Sequence, residues 1–516
     1  MRTRNSLINL LASVGAQGVN ILLQFLSRFI FVRYFSEEYL GVNGLFTEVL
    51  TIFSLAELGI GISMMYGLYD VIAKKDEQAV ACLMNLYRRM YAAVGAAVAG
   101  IGCALLPFLD VFVKSTEIPH IRLIYLMYLA NSVLSYFFAY KQTLLRADQK
   151  EYIVSGVTQL VKCVQVLFQI GIILVTENFY LYLGAQMVCQ ILTNVLLAAV
   201  ADRKYPYIRN RSAGLPDRAV RKDLYRHIRA MAFHRFGSVF VFNTDNLLIS
   251  MFIGLGTVGL YSNYKLVTNN LRTVADYIYN ALTAGVGNLA VTEPAERTLS
   301  VYHTLQMGMS LLFGWMAVCL LTLFNPFIEL FFGGKYLLPF STVAVIVLDF
   351  YILEMRQVTL CFRNAMGLFW YDRYKPVFEV ALNLGLSLFL VQRYGIAGVI
   401  LGTVISSLAT NFWVEPLVFF RYGIQKDWKR NLAGYFRRYG CYTAFTAVCA
   451  VLCLYVCGRF GEVTVLTFLL RGAAVCVIYA LLAFAVFGRS TEWKELAGKV
   501  SGLVKYRKKA EGEQEK

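Results

Sequence analysis

The sequence predicts an all-α integral membrane protein of about 14 transmembrane helices, arranged as two pseudo-symmetric six-helix lobes plus two C-terminal helices. Three observations predict it. The 516 residues are 58% hydrophobic and only 16% charged, with a mean hydropathy of +0.57; a soluble chain carries closer to about a quarter charged residues. The apolar residues fall in long blocks, each near the roughly 20 residues that cross a hydrocarbon core about 30 Å thick. Landmarks in the first half also recur in the second at one offset. Soluble domains are excluded.

In chain order the spans are 9–33, 43–68, 90–113, 120–140, 153–175, 179–201, 231–253, 258–290, 301–324, 341–362, 376–393, 396–420, 441–458 and 463–487. The first is too long, and carries Arg28 too deep, for a cleaved signal peptide, so it reads as a signal anchor. The connections set the orientation. With both termini inside, 37 of the 49 Lys and Arg residues face the cytoplasm, five (Arg33, Lys114, Lys335, Arg393, Arg459) face outward and seven lie in spans. That asymmetry is the positive-inside bias of a multi-pass membrane protein with both termini cytoplasmic. It accounts for the net charge of +17 without nucleic acid.

The outer loops are short, the longest running from about Asn325 to Phe340. The longest connection, 202–230, is cytoplasmic and basic and separates an N-terminal six-helix lobe (1–201) from a C-terminal one (231–420). Within it Val220, Leu224 and Ile228 make an apolar stripe among Arg and Lys, the pattern of an interfacial helix. Two additional helices occupy 421–487, and a basic tail, 488–516, repeats the device with Trp493, Leu496, Val500 and Leu503. Beyond Lys508 the residues are polar and read as disordered.

The offset is 218 residues. Gly41 after span 1 matches Gly259 after span 7, Ala147 after span 4 matches Ala365 after span 10, and Gly184 in span 6 matches Gly402 in span 12. Three topologically equivalent positions sharing one offset imply two related six-helix repeats.

No metal site is expected. Eight of the eleven cysteines sit inside apolar runs as small packing residues, and the four histidines are scattered outside any HExxH or CxxC spacing. No GxxxxGK[ST] stretch supports nucleotide use, and no cofactor is implied apart from H⁺ or Na⁺ coupling.

The informative residues are those that cost free energy in a membrane, about 2.5–3.5 kcal/mol per ionisable group on insertion scales. Span 1 carries Asn9, Ser13, Gln17, Asn20, Gln24, Ser27 and Arg28 along one face; span 2 carries Asn43, Thr47, Thr51, Ser54 and Glu57. Span 7 contributes Asn243, Asn246 and Ser250 with Asp245 adjacent, and span 8 aligns Lys265, Asn269, Arg272 and Asp276. At the 218 offset Arg28 corresponds to Asn246, beside Asp245, and Glu57 to position 275, beside Asp276. Four such helices predict a hydrated central cavity between the lobes. The plainer alternative is interhelical ion pairing, Arg28 with Glu57 or Arg272 with Asp276. Asp349, Glu354 and Arg356 cluster in span 10 without an assigned role.

Residues 33–76 (RYFSEEYLGVNGLFTEVLTIFSLAELGIGISMMYGLYDVIAKKD), 243–264 (NTDNLLISMFIGLGTVGLYSNY) and 367–379 (GLFWYDRYKPVFE) resemble the polysaccharide repeat-unit flippases, the Wzx-like branch of the multidrug/oligosaccharidyl-lipid/polysaccharide exporter superfamily. The likeness covers most of residues 5–420. It implies a bundle of two six-helix lobes and an alternating-access cycle, with no enzymatic step, that moves an undecaprenyl-pyrophosphate-linked oligosaccharide across the plasma membrane for capsule, exopolysaccharide or O-antigen synthesis. Partners are then membrane lipids and the polymerase and glycosyltransferases of the same pathway. Chemistry agrees with the cargo: amides suit a glycan, Arg or Lys suits pyrophosphate, and the tail stays in lipid. Substrate binding is expected at Arg28, Gln24, Asn20, Lys265, Asn269 and Arg272, and coupling or gating at Asp245, Glu57 and Asp276. Alternatives are a multidrug or cation extruder on the same fold, which favours an acid-dominated cavity, and a membrane polysaccharide polymerase or ligase, which needs an ordered outer loop.

Overall fold

The computed structural model describes residues 2–53, 57, 60–114, 118–226, 228 and 244–498. Among these no strand occurs, and every described stretch of the expected spans is essentially helical. The first repeat comprises α1 (Arg2–Tyr34), α2 (Glu37–Phe53), α3 (Ile60–Ala73), α4 (Glu77–Leu105), α5 (Ile121–Ala147), α6 (Glu151–Thr176) and α7 (Phe179–Lys204). The second comprises α8 (Asp245–Phe252), α9 (Leu255–Thr292), α10 (Ala295–Phe332), α11 (Phe340–Met355), α12 (Gln357–Ala365), α13 (Lys375–Ala409) and α14 (Asn411–Val418). Then follow α15 (Trp428–Cys457) and α16 (Val465–Phe487).

Helix ends follow local chemistry. Asp76 caps α4 by accepting from the Ala79 N–H at 2.9 Å, and Asn178 caps α7 by accepting from Tyr180 and Leu181. A capping box of Thr464 and Thr467 opens α16. Spans 11 and 12 are joined within α13 by a sharp bend at Gly395, whose φ of 57° favours glycine.

Among the described residues eight helices are long and apolar enough to cross a membrane, one of them, Lys375–Ile424, containing two of the expected spans. Spans 1 and 8 carry long polar stripes on α1 and α9, and α11, at 16 residues, gives way to α12 after Met355; much of span 7 and the middle of span 2 lie outside the described residues.

The repeat is visible in the helix ends. α1 ends at Tyr34 and α8 at Phe252; α2 begins at Glu37 and α9 at Leu255; α4 begins at Glu77 and α10 at Ala295; α5 ends at Ala147 and α12 at Ala365. Each pair is 218 residues apart.

Chain contacts divide the molecule into two compact units, 1–262 and 263–516. The first unit runs past the 202–230 connection because α8 and the opening turns of α9 pack against α2. A Cβ on Gly41 would collide with the Leu255 carbonyl, and one on Gly259 would collide with the Glu37 carbonyl. Glu37 and Leu255 are themselves equivalent under the offset, as are Gly41 and Gly259. The contact is therefore reciprocal, backbone against backbone, as small residues permit between membrane helices.

Residues 218–226 are helical, with Leu224 buried near Gly67 and Val220 exposed. In the second unit residues 491–498 form a helix held by Thr304 donating to Glu495 at 2.9 Å and by Arg438 pairing with Glu492 at 3.4 Å. Val500, Leu503 and the segment after Lys508 lie outside the described residues, as do Asn243 and Ser54.

Candidate functional site

In the first unit the polar faces of α1, α2, α8 and early α9 converge. Arg28 is half-buried and donates from Nη1 to the Ser262 hydroxyl at 3.1 Å. Gly44 brings α2 so close that its missing side chain would meet the Asn246 amide, Val258 and Ser262. One turn on, the buried Glu48 carboxylate accepts from the Asn246 backbone N–H at 3.0 Å. Asp245, only 8% exposed, is adjacent in the first turn of α8, where the helix dipole favours its negative charge.

The stripe on α2 divides between two neighbours. Asn43 accepts from the Tyr128 hydroxyl at 2.9 Å. Thr47 and Thr51 line a cavity of about 260 Å³ with Tyr128, Asn131, Tyr136 and Gln186. Amides, hydroxyls and aromatic rings are the groups that bind sugars, and among the described residues no acid lines this cavity. Glu57 is half-buried and accepts from the Tyr91 hydroxyl at 3.0 Å. Asn20 and Gln24 are half-buried on α1.

Lys265, Asn269, Arg272 and Asp276 lie on α9 within the second unit. Lys265 is half-buried, while Asn269 and Asp276 are exposed. Arg272 turns to α11, donating to Asp349 at 2.8 Å and lying 3.9 Å from Glu354. The i,i+4 pairing of Arg272 with Asp276 is thus superseded by a contact between helices. This contact gives Asp349 and Glu354 their role. Arg356, the third charge of span 10, pairs with Glu415 at 2.9 Å. Glu415 is fully buried and also takes Lys375, while Arg363 binds Asp372. This network ties the turn after α12 to α14.

Two of these features were absent from the sequence expectations. Glu48 was hidden beside the Thr47 stripe, though an acid in an apolar span is itself a signal. The Glu415 network joins residues up to 59 positions apart, which no spacing on one helix reveals.

A family model described as polysaccharide biosynthesis protein matches residues 6–286, more than half of the chain. The chain belongs to that family. The match spans both long strings, 33–76 and 243–264, that carry the resemblance to the repeat-unit flippases. No curated protein matches the family member described here in sequence. Among solved structures, "Lipid II flippase MurJ, inward closed conformation" is similar with a TM-score of 0.63 and 13% identity, over 92% of this chain and 98% of that one. An inward-facing multidrug resistance MATE family transporter of the MOP superfamily is similar with a TM-score of 0.62 and 16% identity, over 79% and 96%. At these identities the likeness establishes the fold: this polysaccharide biosynthesis family protein is an all-α, multi-pass membrane protein with the fold of these transporters.

Proposed function

We propose that the protein is a flippase rather than an enzyme, moving an undecaprenyl-pyrophosphate-linked oligosaccharide across the bacterial plasma membrane by alternating access, with both termini cytoplasmic. One observation carries the reading: the segment matched to the polysaccharide biosynthesis family contains a half-buried Arg28 held on Ser262. An ionisable group within a span marks a functional site by default, and the planar fork of a guanidinium suits pyrophosphate oxygens. The nearby cavity lined by Thr47, Tyr128, Asn131 and Gln186 supplies amides and hydroxyls for a glycan. Asn20 and Gln24 extend that chemistry along α1; on α9 Asn269 adds an amide, and Lys265 and Arg272 add cations, Arg272 while paired with Asp349. Asp245, Glu57 and Asp276 are the acids proposed for coupling or gating. Functional division follows the repeats, 1–201 and 231–420, with the 202–230 connection between them and 421–487 appended.

The test is transport in vesicles with labelled lipid-linked oligosaccharide on one leaflet, read by its accessibility on the other. Arg28→Ala should abolish transport while the protein stays folded in the membrane; Arg28→Lys should keep part of it, since a point charge survives but the bidentate fork does not. Normal transport by Arg28→Ala would make Arg28 a structural donor to Ser262. The extruder reading draws on the fold shared with a multidrug transporter. Efflux of cationic dyes by cells expressing the protein, with no transport of lipid-linked cargo, would select it.

A further inference from the structure

We propose that the second unit carries a separate binding shelf for an anionic phospholipid, formed by the turn after α12 and the segment that joins α14 to α15. The turn alternates between two environments. Asp372 points inward, buried, and is bound by Arg363 and approached by Lys375 at 3.8 Å. Trp370, Tyr371, Arg373 and Tyr374 on either side point outward and are exposed, Trp370 by 68%. The buried ion network beneath therefore fixes a turn whose outer surface is aromatic and cationic.

Arg373 is held in place. Its guanidinium carbon lies 3.8 Å from the Trp370 ring centroid and 4.7 Å from that of Tyr374, so aromatic faces take up its planar surfaces. Tyr371 stacks on Tyr422 at 3.8 Å and 10°, which joins the turn to a second cationic group. There Arg421 lies 5.4 Å from the Tyr422 ring and 5.5 Å from the Trp428 ring, and Lys429 lies 5.6 Å from Trp428. Arg421, Lys429 and Arg430 are exposed. The acids nearby do not cancel this charge: Asp372 is consumed within, Glu296 pairs with Lys426 at 2.5 Å, and the exposed Asp427 is the remaining one in the segment. The shelf is anion-seeking.

The apolar surface next to it selects a lipid over a free anion. α13 starts at Lys375 and carries Phe378, 65% exposed, Leu382 and Phe389 along one face. Gly385 lies on that face, and a Cβ there would meet nothing within 4 Å. Head-group cations therefore continue directly into an apolar track with a notch at Gly385, a surface complementary to a phosphate head and an acyl chain. The positive-inside bias assigns this shelf to the cytoplasmic leaflet, where Trp and Tyr favour the interface and each nearby Lys or Arg adds attraction to anionic lipid.

The experiment uses the full chain in nanodiscs with mixed phosphatidylglycerol and phosphatidylcholine, and reads the lipid retained on the protein by native mass spectrometry. Wild type should enrich phosphatidylglycerol several-fold. The Arg373→Gln, Arg421→Gln double variant should lose most of that enrichment, and the matching pair of Arg→Lys changes should keep part of it. Removing two exposed cations elsewhere, with Arg218→Gln and Lys222→Gln, should leave it intact. Photoreactive phosphatidylglycerol on wild type should label Trp370, Tyr374 or Phe378. Equal loss from both double variants, or labelling confined to other surfaces, would overturn the assignment even if the Gln variant is poorly folded. Stronger retention of polyprenyl pyrophosphate than phosphatidylglycerol at the shelf would overturn it in favour of cargo, and displacement by inorganic phosphate alone would overturn the role of the acyl track.

Discussion

Glu48 accepts from the backbone N–H of Asn246, 198 residues away, and so fixes α2 against the start of α8. A hydrogen bond to a charged acceptor contributes about 1.5–3 kcal/mol, against about 0.5–1.5 kcal/mol for a neutral one. Glu48→Gln keeps an acceptor but removes the charge, so it should cost about 1 kcal/mol, read as a lower unfolding temperature in detergent. Outside the spans, Asp148 bridges Lys150 and the Tyr205 hydroxyl at the end of α7. Burial opposes ionisation of Asp148, but hydrogen bonds from Lys150 and Tyr205 and the charges of Lys150 and Lys204 outweigh it, holding its carboxyl below the ordinary value of 3.8. A depressed carboxyl contributes stability that is present above its unfolded pKa and is lost as pH falls through the folded one. The gap in unfolding temperature between wild type and Asp148→Asn should therefore be widest near neutral pH and close as pH drops below about 4. A gap independent of pH would mean that the Asp148 charge contributes nothing to the fold.

Helices were far more legible in the sequence than their partners. Composition and spacing marked the spans, and three small-residue landmarks marked an offset that the ends of α1, α2, α4 and α5 reproduce in α8, α9, α10 and α12. What spacing along one helix leaves open is which neighbour a face will meet. Arg272 sits four residues from Asp276, yet packing against α11 offers Asp349 at 2.8 Å. Glu48 escaped because the stripe of Asn43, Thr47 and Thr51 suggested one polar face, whereas α2 is polar toward both the cavity and α8. The glycines tell the same story from the other side. Gly41 and Gly259 served as landmarks of the repeat, and the structure gives the reason: each lets the other repeat's backbone approach. Gly259→Ala must push the Glu37 carbonyl away, an overpacking cost of about 1–3 kcal/mol, and Gly184→Ala, where a Cβ meets nothing within 4 Å, should cost far less. Comparing the two unfolding temperatures separates close approach from the general cost of losing a glycine.

For the whole molecule, the crossing of α2 with α8 and early α9 places charge where the two repeats touch. Glu48 comes from the first repeat, Asp245 and the Asn246 N–H from the second, and Arg28 reaches Ser262 across the same boundary. The proposed flippase, whose sequence holds no GxxxxGK[ST] stretch, needs an ion gradient or a sink for its product. An ion can bias two conformations only through different affinities for them, so the coupling group must lie where its surroundings change as the repeats move. Glu57 meets this poorly, since its partner Tyr91 belongs to the same repeat. Asp276 lies in the second unit with Arg272 one turn before it on the same helix, so its nearest cation moves with it. Asp245 is buried beside the contact that Glu48 makes, and adding a proton or Na⁺ there alters the charge of a junction rather than of one element. Asp245→Asn should therefore slow transport and flatten its dependence on an imposed gradient, while binding at the proposed cargo site of Arg28 and the Thr47–Tyr128 cavity is unchanged. Vesicles carrying labelled lipid-linked oligosaccharide, energised in turn by a pH and a Na⁺ gradient, measure both quantities. If the Asp245→Asn protein gains as much rate from either gradient as wild type does, ion coupling does not pass through this carboxylate, and Glu48→Gln becomes the next variant to place under the same gradients.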